Sequence, residues 1–205
     1  MEKAKQKYTF QIEVASVEHI RYAEAISQLI EHAAIARGTG IAKRTPEYIT
    51  QKISEGKGII AIADNEILAG FCYIETWDHG KYVANSGLIV DERFRGLGLS
   101  KQIKKAAFTL SRKKFPKAKL FGITTSPAVL KINSQLGYRP VGFTELTTDE
   151  EFWRGCQSCA NYDILMRTNR KLCLCTGMLY DPAEKLEPLI LEIKEDEKAK
   201  SSVSV

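Results

Sequence analysis

Long apolar runs are missing from this 205-residue chain. The longest aliphatic stretch, GIIAIA at 58–63, is far short of the roughly 20 residues that a membrane helix needs, so no membrane association is expected. Residues 1–10, MEKAKQKYTF, are charged and carry no apolar core of a secretion signal, which makes a cytoplasmic location the expectation. Neither sign of charge is in large excess. Thirty basic against 25 acidic residues leave a net charge of +5, which suits an anionic ligand without demanding nucleic acid. The lysine-dense stretch SRKKFPKAK (111–119) holds Phe115 as its lone stacking aromatic, so nucleic-acid binding is not expected. Five cysteines without a secretion signal argue against a disulfide framework. Internal repeats are absent.

What is present suits one domain with a full core. YTFQIEV (8–14) alternates apolar and polar residues and predicts a strand. The stripe Ile20, Ala23, Ile26, Leu29, Ile30 predicts a helix capped by Ser16 and ended by Gly38. RTPEYITQKISEG predicts a second, short helix, with Thr45 as cap, Pro46 in the first turn and Gly56 as stop. GIIAIAD and ILAGFCYIETW read as two strands joined at Asp64-Asn65-Glu66. KYVANSGLIV is the next strand, in which Gly87 marks a bulge or a close backbone approach. A glycine turn, a helix with a basic outer face, the strand AKLFGITT and a helix capped by Ser126 and stopped by Gly137 follow. RPVGF predicts a short strand. TTDEEFWRGC predicts a helix, with Thr148 and Glu151 as a capping box. NYDILMR and KLCLCTGML predict strands around a Thr168-Asn169-Arg170 turn.

The glycine turn reads VDERFRGLGLS, Val90 to Ser100. A strand that enters a helix through glycines presents backbone N–H groups at the helix N-terminus, an arrangement that binds phosphate. Gly96 and Gly98 let an anion approach with no Cβ in the way, while Arg95 and Ser100 add polar contacts. No Gly-Lys-Ser/Thr ends the turn and G-x-G-x-x-G is incomplete, which excludes a P-loop and a dinucleotide fingerprint. From this stretch alone, an ordinary strand-to-helix turn is an equal reading.

The element order around the turn resembles the GNAT acyltransferase family, whose Arg/Gln-x-x-Gly-x-Gly/Ala motif reads here Arg95-Gly96-Leu97-Gly98-Leu99-Ser100, with serine in the last small position. The resemblance covers roughly residues 8–166. It implies an α/β class, the GNAT fold: a mixed central β-sheet flanked by helices, here with a Cys-rich C-terminal extension. It implies acyl-CoA as co-substrate, acetyl-CoA or succinyl-CoA. The turn, with Lys101 just beyond it, would cradle the pyrophosphate, and Leu88, Ile89 and Val90 would hold the pantetheine through their backbone. A backbone N–H near Ile89 or Val90 would polarise the thioester carbonyl. Lys101, Lys104 and Lys105 are open to two readings, contacts to the CoA 3′-phosphate or a solvated helix face. Asn133 stands where many members of the family place a tyrosine general acid; it can hydrogen-bond a leaving thiolate but cannot protonate one.

Two stretches are similar to N-acetylglutamate synthases, in the stand-alone form without an amino-acid-kinase domain. Thr124, Thr125, Gly137, Tyr138, Pro140 and Val141 match one. ARGTGIAKRTPEYI matches the other, and there the resemblance assigns Arg44 to a glutamate carboxylate. A dicarboxylate acceptor calls for guanidinium groups, and Arg154 joins Arg44 on the expected acceptor side, with Thr124 beside them. Glu75 is either the general base for the substrate amine or an exposed strand carboxylate. The implied reaction is direct acyl transfer in a ternary complex, onto the α-amino group of L-glutamate in arginine biosynthesis. The alternatives are another small amine, a protein N-terminus, or a non-catalytic acyl-CoA sensor. A homodimer is the expected assembly.

Cys156-x-x-Cys159 and Cys173-x-Cys175 suit either a structural zinc site of four thiolates or four cysteines packed on facing strands. Cys72, in a strand, is read as packed core. The domain boundaries expected are 1–180 for the acyltransferase, with a Cys-rich hairpin over 152–180, and 181–205 for a charged C-terminal segment disordered beyond about 192.

Overall fold

Seven strands form one sheet in the order β1-β2-β3-β4-β5-β7-β6 in the computed structural model, which describes residues 8–37 and 44–184. The strands are β1 (Phe10–Val14), β2 (Gly58–Ala63), β3 (Ile67–Trp77), β4 (Tyr82–Val90), β5 (Lys119–Thr124), β6 (Arg139–Val141) and β7 (Thr176–Tyr180). Every neighbouring pair is antiparallel except β4 and β5. The helices are α1 (Ala23–Arg37), α2 (Pro46–Ser54), α3 (Leu99–Lys114), α4 (Pro127–Gln135), α5 (Glu150–Arg154) and α6 (Tyr162–Arg167). This is the mixed α/β architecture expected, and among the described residues no helix is long and apolar enough to cross a membrane.

The sheet is covered on both faces, which is why β2 is a continuous apolar run rather than an alternating one. Ile59, Ala61 and Ala63 face a core built with α3 (Leu99, Ile103, Ala107), Tyr138 and Met178. Ile60 and Ile62 face the other way, into a core with Ile26 and Ile30 of α1 and Ile49 and Ile53 of α2. A third cluster, with Phe121, Phe143, Trp153, Leu165 and Leu179, lies under the C-terminal helices.

Local signals in the sequence account for most boundaries. Thr45 Oγ1 caps α2 by accepting from the Tyr48 N–H, and Ser126 Oγ caps α4 by accepting from the Val129 N–H. Asp64 and Asn65 both take positive φ in the β2–β3 turn, which matches the twist of a tight hairpin. The first helix begins as a 3-10 turn over Val17–Tyr22 before α1; its expected stop, Gly38, lies outside the described residues, as does everything from 185 on, including the segment expected to be disordered.

Three expectations for the C-terminal part are corrected. The cap of α5 is Asp149, whose Oδ1 accepts from the Glu151 N–H, in place of the Thr148/Glu151 box. NYDILMR forms the helix α6, not a strand, because six residues suffice for one and a half turns that bury Leu165. KLCLC is loop, and strand begins only at Thr176. Residues 152–180 are therefore two short helices and a loop that lead into β7, not a hairpin, and β7 inserts between β5 and β6.

The feature that positions the site is the parting of β4 from β5. They pair only over Tyr82–Ala84 with Lys119–Phe121. From there β5 keeps β7 as its partner through Thr124, while β4 continues to Val90 along β3 alone. The gap between them runs through the sheet.

Candidate active site

A cavity of about 560 Å³ opens at this gap. Its walls come from β3 (Tyr73, Glu75, Trp77), from Asn85 to Leu88 of β4, from Gly122 to Ser126, from Arg44 and Tyr48, and from Phe152, Arg154, Cys156, Cys159 and Tyr162. Phe152 of α5 packs edge-on against Trp77 and Phe121, with ring centroids 5.6 and 4.8 Å away. The Asp78 N–H and the Trp153 indole N–H tie this segment down, donating to Asp149 Oδ2 and to the Thr147 carbonyl.

Arg44 lines the cavity beside β3. Its Nε donates to the Tyr73 hydroxyl at 2.6 Å, and its guanidinium lies over the rings of Tyr48 and Tyr73, a cation–π arrangement that is stronger where water is excluded. The Tyr48 hydroxyl donates to Glu75 Oε1 at 2.6 Å, and the Lys52 ammonium reaches the same oxygen at 2.6 Å. Tyr48 and Lys52 are one helical turn apart on α2, so both meet one carboxylate. Burial pushes the Tyr48 hydroxyl far above its ordinary range, and it stays a neutral donor. Glu75 is thus neither exposed nor alone. Arg154 lines the mouth, where it is exposed and paired with Glu151 at 3.1 Å. Thr124 lines the gap, its Oγ1 accepting from the Ser126 N–H.

Gly87 shapes this wall from behind. It has φ +64°, and a Cβ there would lie 2.5 Å from Cε1 of Tyr73. The ladder between β3 and β4 shifts register at this point, as the sequence expectation of a bulge or close approach required. Tyr73 is 1% exposed and has nowhere to swing. Gly87→Ala is expected to cost about 3 kcal/mol through overpacking and left-handed strain, lowering the unfolding midpoint by roughly 6–12 °C. It also disturbs the partner of Arg44. Calorimetry checks the first effect, and the acceptor KM the second.

At the far end of β4 the glycine turn is built as expected. Gly96 and Gly98 take φ +81° and +77°, with nothing within 4 Å of the Cβ either would carry. Arg95 folds back so that its Nε donates to the Val90 carbonyl, and α3 starts at Leu99, which is buried. The cavity wall extends along β4 to Leu88, short of the turn. The Asp91 N–H bonds the Ala69 carbonyl of β3. By alternation along an antiparallel strand, the N–H of Ile89 points to β3, while those of Val90 and Leu88 point to the open side. Ile89 also buries its side chain against α1 and α2, which favours Val90 and Leu88 over Ile89 as backbone donors.

Other expected residues fall elsewhere. Asn133 is 1% exposed, is outside the cavity wall, and has a buried Oδ1 without a hydrogen-bond partner among the described residues. Lys101 and Lys105 are exposed on α3, but Lys104 is buried and belongs to the cavity wall, so it is neither a solvated lysine nor a contact for a surface phosphate. Cys72 is fully buried core, as read.

The four clustered cysteines do line the cavity, but among the described residues no group of three or more His, Cys, Asp or Glu is placed to hold a metal ion, so the structural zinc expected there finds no support. The alternative, four cysteines packed on facing strands, does not hold either. Instead Cys156 and Cys159 flank a turn closed by the Cys159 N–H on the Cys156 carbonyl, and Cys173 and Cys175 lie in a loop. Burial and the neighbouring cysteines push the Cys156 thiol up to about 11 and the Cys175 thiol to about 12. Both stay neutral at physiological pH.

Sequence reasoning missed Tyr48, Lys52, Tyr73 and Trp77, and it placed Lys104 at the surface rather than in the cavity wall. The i, i+4 pair Tyr48 and Lys52 on a capped helix directly after Arg44 was a legible signal. Trp77 lines the cavity, and its buried indole N–H has no acceptor among the described residues, a donor that a bound anion would satisfy.

Comparison with known proteins agrees with this geometry. The sequence model of the Acetyltransferase (GNAT) family matches residues 26–129. No curated protein matches the chain in sequence. Among solved structures, N-acetylglutamate synthase from Neisseria gonorrhoeae, complexed with coenzyme A and N-acetyl-glutamate, is similar at 16% identity and TM-score 0.59, over 88% of this chain. This chain spans only 37% of that enzyme. A Mycobacterium tuberculosis protein in complex with CoA is similar at 16% identity and TM-score 0.59, over 83% of this chain and 98% of that one. A putative acetyltransferase from Salmonella typhimurium with acetyl-CoA gives 15% identity and TM-score 0.58, over 88% and 98%. At these identities the structures share the fold.

Proposed function

The chain belongs to the acetyltransferase (GNAT) family of acyl-CoA-dependent N-acyltransferases, and from that premise we propose that it moves an acetyl or succinyl group from acyl-CoA to the α-amino group of L-glutamate, in arginine biosynthesis in the cytoplasm. The observation that carries this reading is the charge balance of the cavity. Its wall holds the cations Arg44, Lys104 and Arg154 against the carboxylates Glu75 and Glu151. Glu75 is already held by Lys52, which stands behind the wall, and Glu151 by Arg154. Counted over the wall, cations outnumber carboxylates, so the cavity suits an anionic acceptor and repels a polyamine.

In this reading the pyrophosphate of CoA rests on the N–H groups of the Gly96–Ser100 turn and the start of α3, and the pantetheine runs back along β4 into the gap. The Val90 and Leu88 N–H groups face it, as the donors for the pantetheine and the thioester carbonyl. Arg44 takes a carboxylate of glutamate, with Trp77 Nε1–H and Thr124 as further donors and Arg154 at the mouth. Glu75 accepts the proton of the substrate ammonium, directly or through one water, and passes it to solvent. The amine then attacks the carbonyl, and the fixed geometry of both substrates supplies much of the rate.

The experiment is release of free thiol from acetyl-CoA and from succinyl-CoA, with and without L-glutamate, followed by mass analysis of the product. Glutamate-dependent release that yields N-acetyl- or N-succinyl-glutamate supports the reading and names the donor. Release with other amines and none with glutamate removes the acceptor assignment while leaving the transferase intact. CoA binding with no turnover on any amine would make the protein a sensor.

A further inference from the structure

Lys104 is the lysine of α3 that turns inward. It is 2% exposed, yet it belongs to the cavity wall beside Asn85 and Ser86. Its Nζ donates to the Asn85 carbonyl at a long 3.4 Å and lies 5.7 Å from the Tyr138 ring centroid. It is absent from the ion pairs formed among the described residues. An ammonium buried without a counter-charge is costly, and an apolar residue would pack there at lower free energy. The position is therefore explained by an anion that the protein itself does not supply.

The location narrows what that anion is. Asn85 is where β4 leaves β5, five residues back from Val90. That is about 17 Å of strand, the span of an extended pantetheine arm that starts from the glycine turn. The thioester sulfur of a donor seated there ends at the parting of the strands, where Lys104 reaches up from the α3 side. Asn133 is outside the cavity and has no proton to give.

We propose that Lys104 is a catalytic residue, the group that stabilises the departing CoA thiolate and protonates it. The proposal rests on the acyl-CoA seating proposed above. As the substrate nitrogen bonds to the carbonyl carbon, the C–S bond breaks and its electron pair goes to sulfur. A proton moves from Nζ to that sulfur, leaving free CoA thiol and a neutral amine. The attacking nitrogen sheds its second proton to solvent as the amide forms, and Lys104 regains one from solvent, so the ammonium and the thioester give amide, free thiol and one proton net.

Burial lowers the Lys104 ammonium below the ordinary lysine range, which brings it closer to the thiol it must protonate. The titratable groups that face it are Cys72 of β3 and Tyr138. Burial pushes Cys72 up to about 11 and raises the Tyr138 hydroxyl far above its ordinary range while it donates to Asn85 Oδ1. Both stay neutral where Lys104 titrates. The active form is the ammonium, so kcat is full below the lowered lysine pKa and falls as pH rises through it.

The test compares wild type, Lys104→Met and Lys104→Arg by kcat against pH, donor KM, CoA binding by calorimetry and thermal unfolding. For Lys104→Met the expectation is a roughly 100-fold loss of kcat, no remaining alkaline limb, unchanged CoA binding and an unfolding midpoint equal to or above wild type. Lys104→Arg keeps part of the rate and moves the alkaline limb upward, because guanidinium does not deprotonate in this range. Full kcat in Lys104→Met would overturn the proposal. So would a loss confined to donor KM, with the alkaline limb unmoved, which would make Lys104 a donor-binding cation. Failure of wild type to bind CoA would instead remove the seating, and this proposal with it.

Discussion

Arg44→Met is expected to raise the KM for L-glutamate by about 100-fold while leaving the affinity for CoA unchanged. The side chain is fixed by a 2.6 Å bond from Nε to the Tyr73 hydroxyl and by the faces of two tyrosines, so its guanidinium is held in place before a substrate arrives. Truncating one partner of a buried charge-assisted pair costs about 3 kcal/mol, and each 1.4 kcal/mol is tenfold in affinity. Methionine keeps the length and the apolar stem. The Tyr73 hydroxyl loses a partner, which costs about 1 kcal/mol, and removing a desolvated cation offsets part of that. The unfolding midpoint therefore stays within roughly 4 °C of wild type. Arg44→Lys keeps the charge but loses the planar fork, and falls between the two. Steady-state kinetics with glutamate varied at saturating donor gives the number. An equal loss of CoA affinity would mean that the substitution disturbs the gap rather than the acceptor wall.

The second large effect is at the turn. Gly98→Val is expected to weaken CoA binding by at least about 100-fold, the loss of several charge-assisted N–H contacts to phosphate. Gly98 has φ +77° and open space around its missing Cβ. Valine meets no protein atom, and the fold bears only the strain of a left-handed β-branched residue, about 1–2 kcal/mol. That corresponds to roughly 2–8 °C in unfolding midpoint for a chain of this size. The branched side chain would stand where the anion sits. Gly80 is the control: its φ is +84°, it has the same open surroundings, and it lies at the opposite end of β4, about 26 Å away along the strand. Gly80→Val should carry the same thermal cost and leave CoA titrations unchanged. Equal loss of binding in both variants would assign the effect to strain and not to the anion seat.

What the sequence made legible was what is written in local spacing. The glycine turn, the Asp64-Asn65 hairpin, the caps Thr45 and Ser126, and the position of Gly87 are each dictated by neighbours a few residues away. The structure places all of them as expected. Arg44, Glu75, Arg154 and Thr124 do meet in one cavity. What was not legible depends on which way a side chain turns once distant elements pack. Lys101, Lys104 and Lys105 are alike in sequence, yet only Lys104 faces the sheet, because it lies in register with the buried Ile103 and Ala107. Glu75 could not be paired with Lys52 from spacing, since their meeting requires α2 to lie across β3. NYDILMR is too short for its periodicity to separate helix from strand, and that error led to the expected hairpin. The cysteine spacing did bring four thiols to one cavity, though from a turn and a loop rather than from facing strands.

The most direct measurement is a crystal structure with CoA and N-acetylglutamate bound. The account predicts pyrophosphate oxygens on the N–H groups of Gly96 to Ser100, the thiol at the parting of β4 and β5 near Lys104, and a carboxylate of the product bonded to Arg44. A product whose carboxylates avoid Arg44, or CoA bound away from the turn, would contradict it.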